Sequence, residues 1–130
     1  MSKVLVIDDE ALLRDSVAAY LEDDGHQVLV KSNAESGLAQ LARFQPDIVI
    51  VDLRLEGASG EDFITAAKKL YPSAHYLIHT GCKDYRLTNA LRALGISETQ
   101  VLYKPIGDLS KLSHLIDSIP VKPSTVTLQI

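Results

Sequence analysis

Four short apolar runs punctuate the chain: Val4-Leu5-Val6-Ile7, Ile48-Val49-Ile50-Val51, Tyr76-Leu77-Ile78 and Val101-Leu102-Tyr103. Each is too short for a helix, and the first and second in particular lack the polar alternation of a half-wet strand. They predict strands buried on both faces. Val28-Leu29-Val30 predicts a further strand, whose less clear alternation places it at an edge. Between these runs apolar residues recur at helical spacing. Leu13, Val17, Tyr20 and Leu21 form one such face, closed by Gly25. Leu38, Leu41, Ala42 and Phe44 form the next, with Asn33 as N-cap and Pro46-Asp47 as the break. Phe63, Ile64, Ala67 and Leu70 mark a helix over 61–71 that Pro72 ends. Leu87, Leu91 and Leu94 mark a fourth that stops at Gly95, and Leu109, Leu112, Leu115, Ile116 and Ile119 a fifth.

Strands alternating with helices in this way give a parallel sheet wrapped on both faces, because right-handed crossovers place helices on either side. The expected fold is therefore α/β: a flavodoxin-like (βα)5, doubly wound, five-stranded sheet over residues 1–119. From Pro120 the character changes. Pro120-Val121-Lys122-Pro123 favours an extended path, and Thr125 to Ile130 alternates polar and apolar residues. Residues 120–130 are expected to be an extended or disordered tail, a linker, or an edge strand added to a neighbour.

Composition narrows the class without changing the fold. The chain has 130 residues, 46% hydrophobic and 23% charged, an ordinary globular balance. A net charge of −4 argues against nucleic-acid binding, which needs a basic face. There is no apolar run of about 18 residues and no basic-then-apolar leader, so neither a membrane span nor a secretory signal is expected. The single cysteine, Cys82, forms no internal disulfide and suits a reducing cytoplasm.

The chemistry lies at the ends of the runs. Asp8-Asp9, Asp52, Thr80 and Lys104-Pro105 each stand where a predicted strand finishes. In a parallel sheet those carboxyl ends converge on one crevice. Two carboxylates about 4 Å apart repel by roughly 4 kcal/mol at an effective dielectric near 20. Such a cluster needs counter-charge or a retained proton. A divalent cation together with Lys104 balances three carboxylates, and all-oxygen donors suit Mg²⁺ better than zinc. Asp52 can then act as nucleophile toward a phosphoryl group, Lys104 can pair with a phosphoryl oxygen, and Thr80 can donate a hydrogen bond to it. Gly81 carries no side chain, so its amide can approach closely. Taken singly, each feature has a duller meaning: acidic residues follow strands as solvated turns or helix caps, and a Lys-Pro pair means little. Their joint order at the correct strand ends outweighs those explanations.

This set resembles the receiver domain of two-component response regulators, of the chemotaxis-receiver kind, over about residues 2 to 119. The resemblance implies that Asp9 ligates Mg²⁺ directly, Asp8 mainly through water, and that Asp52 and the Arg54 backbone carbonyl complete the protein ligands. It makes Asp52 the phosphoacceptor, Thr80 the switch hydroxyl and Lys104 the phosphate-pairing lysine, with Gly60 at the glycine eight residues after Asp52 and a cis Lys104-Pro105 bond. It implies phosphoryl transfer from a histidine kinase or phosphotransfer protein and autodephosphorylation as the only chemistry. Signalling would run through the face of the fourth helix, fifth strand and fifth helix, with a possible homodimer there. Arg54 and Cys82 fall at positions that modulate phosphoryl lifetime in the family.

Three positions depart from the pattern. Glu56 stands where proline is usual. Val101 stands three residues before the lysine, where an aromatic is usual, while Tyr103 directly precedes Lys104. The stretch from Gly95 to Lys104 is about two residues longer than usual, which should bulge or lengthen the turn before the last strand and alter dimerisation or partner choice. Cys82 is expected to be a passive small residue and His79 a packing residue, and His26, His75, His79 and His114 lack a metal-ligand spacing. The alternative function is a receiver-like interaction domain that works without phosphorylation. A haloacid-dehalogenase-like phosphohydrolase would need Asp-x-Asp after the first strand, and a flavin module a glycine-rich loop there. The chain has neither.

Overall fold

The computed structural model describes residues 2–55, 58–104 and 109–119. Strands β1 (Lys3–Ile7), β2 (Gln27–Lys31), β3 (Ile48–Asp52), β4 (His75–Thr80) and β5 (Val101–Tyr103) form one sheet in the order β2-β1-β3-β4-β5. All neighbours in it pair parallel. Helices α1 (Ala11–Asp23), α2 (Ala34–Phe44), α3 (Gly60–Leu70), α4 (Asn89–Ala93) and α5 (Ser110–Ser118) alternate with the strands. This is the doubly wound flavodoxin-like fold expected from the apolar runs, with β2 at an edge as its weaker pattern implied. The strand order reverses between β1 and β3, which is where open α/β sheets form their crevice.

The continuous apolar runs still obey strand alternation, because both faces of the sheet are covered. Leu5, Ile7, Val49, Val51, Tyr76 and Ile78 pack with Leu41, Phe63, Ile64, Ala67 and Leu91, on the side of α2, α3 and α4. Val4, Val6, Ile48, Ile50 and Leu77 pack with Val17, Leu21, Leu112 and Ile116 of α1 and α5. Asn33 caps α2 as expected, its side chain accepting the Ser36 amide at 2.8 Å.

Gly60 shows how the sheet seats a helix beside the crevice. A Cβ there would lie 2.8 Å from the Leu53 Cα and also against the Asp52 carbonyl. The Gly60 amide reaches the Leu53 carbonyl at 2.7 Å. Only glycine lets α3 begin this close to the end of β3.

Three expectations are corrected. Ala42 of α2 and Leu70 of α3, expected on the buried faces of their helices, are exposed, because each lies at the edge of its apolar stripe near the helix end. The fourth helix was expected to carry Leu87, Leu91 and Leu94, yet α4 holds only Leu91. Thr88 caps it, its hydroxyl accepting the Leu91 amide at 3.2 Å, so Leu87 is buried from the preceding loop and Leu94 sits at the C-cap. The fifth helix starts at Ser110, with Leu109 at its N-cap. The added length before β5 is a lengthened turn, a 3-10 segment over Glu98–Gln100. Gln100 holds it in place: Nε2 donates to the Tyr76 carbonyl at 3.0 Å, and Oε1 accepts the Ser97 amide at 2.8 Å. The expected Lys104-Pro105 cis bond, the Glu56 loop and the tail from residue 120 lie outside the described residues.

Candidate functional site

Asp8 directly follows β1, Asp52 ends β3, Thr80 ends β4 and Lys104 directly follows β5. At three of these positions the same local device appears. Asp8 Oδ1 accepts the Glu10 amide at 2.9 Å, Asp52 Oδ1 the Arg54 amide at 3.3 Å and Thr80 Oγ1 the Cys82 amide at 3.0 Å. A short polar side chain that binds the amide two residues on turns the chain out of the strand. For both aspartates it also leaves the second oxygen available to another group. That oxygen meets Lys104: Nζ donates to Asp8 Oδ2 at 3.1 Å, to Asp52 Oδ2 at 3.2 Å and to Glu10 Oε1 at 3.2 Å. The Lys104 amide donates to the Thr80 carbonyl at 2.6 Å, which places the lysine beside Thr80.

The result is a cleft of about 400 Å³ lined by Asp9, Glu10, Asp52, Arg54, Thr80, Gly81, Cys82 and Lys104. Asp8, Asp52 and Thr80 are buried, while Asp9 and Glu10 are exposed. One ammonium therefore faces several carboxylates in a partly dry site. Burial raises the Asp52 pKa above the usual carboxylate value, the Arg54 amide and Lys104 oppose the rise, and the Asp8 charge adds to it. Burial pulls Lys104 down, but its hydrogen bonds and charge interactions with Asp8 and Asp52 outweigh that and leave it above its ordinary value. The two shifts differ in cause: burial dominates at Asp52 and the Asp8 charge only adds to it, whereas at Lys104 the neighbouring carboxylates hold the proton more tightly against burial.

Every site residue singled out in the sequence reaches this crevice, but not in equal roles. Asp8 is held by Lys104 and by the turn after β1, while Asp9 lines the open cleft. Glu10 was not singled out as a ligand, yet oxygens of Asp8, Glu10 and Asp52 lie within 4.8 Å of one another. Its position directly after Asp8-Asp9 was the available signal. The donor set is all oxygen, anionic in excess and open to solvent on one side, which fits a Mg²⁺ ion that keeps part of its water shell.

Other candidates stand apart. His79 is 3% exposed, on the sheet face of Leu77, and its Nε2 has no hydrogen-bond partner. Burial, assisted by Lys104, lowers its pKa to about 4. Far from the crevice, Asp24, His26 and Asp117 also cluster. There the Ser2 amide donates to His26 Nδ1 at 3.1 Å. A neutral imidazole that accepts at Nδ1 carries its hydrogen on Nε2. That nitrogen has no lone pair for a metal, although Asp24 and Asp117 stand 3.6 and 3.8 Å away. No described helix is long and apolar enough to cross a membrane.

Comparison with known proteins agrees with this geometry. The family model described as "Response regulator receiver domain" matches residues 4–117. A response regulator receiver domain protein from Clostridium thermocellum has a solved structure 34% identical to this chain. It superposes with a TM-score of 0.76 over 90% of this chain and 92% of its own. The chemotaxis response regulator CheY4 of Vibrio cholerae is 26% identical, with a TM-score of 0.78 over 92% and 99% of the two chains. Among curated relatives, the two-component response regulator PhoP of Pseudomonas aeruginosa is 37% identical over 78 residues, which is 60% of this chain and 35% of that protein. The chain spans less than half the length of the first curated relatives it matches.

Proposed function

Because this chain belongs to the response regulator receiver domain family, we propose that it is a phosphoacceptor switch that takes a phosphoryl group onto Asp52 from a histidine kinase or phosphotransfer protein. The observation that carries this reading is the bridge made by Lys104 Nζ, 3.1 Å from Asp8 and 3.2 Å from Asp52 in one open cleft. An ammonium held there is already where charge develops when a phosphoryl group arrives, so it needs little reorganisation. In the transfer, the Asp52 carboxylate attacks phosphorus, the new P–O bond forms, and the P–N bond to the donor imidazole breaks with its electron pair leaving on nitrogen. Lys104 then exchanges its Asp52 contact for a phosphoryl oxygen, and the Thr80 hydroxyl donates to a second.

Asp8, Asp9, Asp52 and the Arg54 carbonyl are the groups we assign to Mg²⁺. When bound, the ion supplies charge neutralisation at the crevice and a seat for phosphoryl oxygens. Arg54, at the cleft rim, is placed to cover the acquired group and slow its hydrolysis by water. The output surface is assigned to α4, β5 and α5, where a second copy can dock. The working location is the cytoplasm, and the protein's own chemistry is limited to gaining and losing this group.

Acetyl phosphate with Mg²⁺, followed by intact mass, tests the reading. The expected result is a gain of one phosphoryl group in the wild type and none in Asp52→Asn. A wild type that gains none at high acetyl phosphate, with correct folding verified, would leave an interaction domain that works without phosphorylation.

A further inference from the structure

The loop that follows β4 is tied down by two tyrosines whose hydrogen bonds lead back to the crevice. Thr80 Oγ1 accepts the Cys82 amide at 3.0 Å, and the Cys82 carbonyl accepts the Tyr85 amide at 3.2 Å. Tyr85 is then held twice more. Its carbonyl accepts the Tyr103 hydroxyl at 3.1 Å, and its own hydroxyl donates to Glu61 Oε2 at 3.0 Å at the start of α3. Burial and the Glu61 carboxylate hold the Tyr85 phenol well above its ordinary pKa, so it remains a donor. Tyr103 in turn belongs to β5, paired in register with Thr80. Strand, loop and helix therefore close a ring around the segment from Gly81 to Tyr85.

We propose that Tyr103 and Tyr85 are positioning residues that hold this loop with the Cys82 amide turned onto the Thr80 hydroxyl, and so oppose the pivot that would turn that amide toward a phosphoryl group on Asp52. The inference rests on Asp52 being the phosphoacceptor. Thr80 and Cys82 line the cleft with donors that a phosphoryl group needs, yet in this arrangement the Cys82 amide is spent on Thr80. Turning it toward Asp52 requires the loop to pivot. Tyr85 must then move as well, because its amide is bonded to the Cys82 carbonyl. Tyr103 resists that motion from a strand fixed to the sheet. A tyrosine directly before Lys104 thus acts on the loop through a main-chain carbonyl, with Val101 buried two residues earlier.

Tyr103→Phe deletes one hydroxyl from a residue that is 39% exposed and leaves the ring. Losing one neutral hydrogen bond predicts amide exchange at Cys82 and Tyr85 faster by about two- to tenfold, and autodephosphorylation slower within the same range. Apparent Mg²⁺ affinity is unchanged, since no assigned ligand is altered. Tyr85→Phe, which cuts only the Glu61 bond, shifts both rates in the same direction. The two changes together fall short of additive, because they release one loop. Unchanged exchange at the two amides in Tyr103→Phe overturns the proposal. So does faster exchange with an unaltered or shorter phosphoryl lifetime, which leaves the phosphoacceptor role of Asp52 intact. A wild type that takes no phosphoryl group sinks both.

Discussion

At the scale of single residues, the crevice is built by short polar side chains that stop strands and by one lysine that collects what they leave. Asp8 and Asp52 each use one oxygen on the backbone two residues ahead and the other on Lys104. The aspartates, threonine and lysine were legible because each ends an apolar run. Glu10 was not, because an acidic residue after a strand has a commoner meaning as a solvated turn. His79 was expected to pack, and it does, but at a measurable cost. A histidine held at a pKa of about 4 when folded and near 6.5 when unfolded takes up its proton in the unfolded state first. Stability is then complete above about pH 6.5 and declines as the pH falls toward 4, by about 3 kcal/mol at most. Urea denaturation across that window should show a shallower decline in His79→Leu than in wild type. Parallel curves would mean that His79 finds a partner that accepts its charge.

Among the elements, the strands were the most legible and the fourth helix the least. A strand covered on both faces writes itself as an unbroken apolar run, whereas α4 depends on where a cap competes with helix extension. Thr88 wins that competition locally, and Leu87 is buried without being helical. The segment before β5 shows the same limit. Its extra length was countable, but its structure depends on a distant carbonyl. β5 pairs with β4 only from Ile78 onward, so the Tyr76 carbonyl lies beyond the start of the ladder on that edge. Gln100 supplies a donor to it from a side chain. Unpaired main-chain groups at an edge are costly when sheltered and invite foreign strands when not. Gln100→Ala should therefore lower stability by about 1 to 2 kcal/mol, with faster exchange over 97–101 and little change in phosphorylation. An unaltered urea midpoint would show that water replaces the amide at no cost.

For the whole molecule, the crevice works against the fold that presents it. The two packed faces stabilise the sheet, while the carboxyl ends of the strands concentrate negative charge in a partly dry place. A carboxyl whose pKa is raised on folding, as at Asp52, removes stability from the native state at neutral pH. Neutralising it without changing its size should return part of that stability, since Lys104 keeps Asp8 and Glu10 as partners. The Mg²⁺ proposed for this crevice would act on the same negative charge from outside. A ligand that binds only the folded chain stabilises it by about 2.7 kcal/mol at a hundred times its dissociation constant. Two denaturation series in urea, one with chelator and one with saturating Mg²⁺, separate these effects. Asp52→Asn should exceed wild type in chelator, and the order should narrow or reverse with Mg²⁺, because the variant binds the ion less tightly. If the variant is no more stable in chelator, the buried carboxylates are already compensated by Lys104 alone. The charge excess inferred at the crevice would then be absent, and with it the electrostatic reason for a cation there.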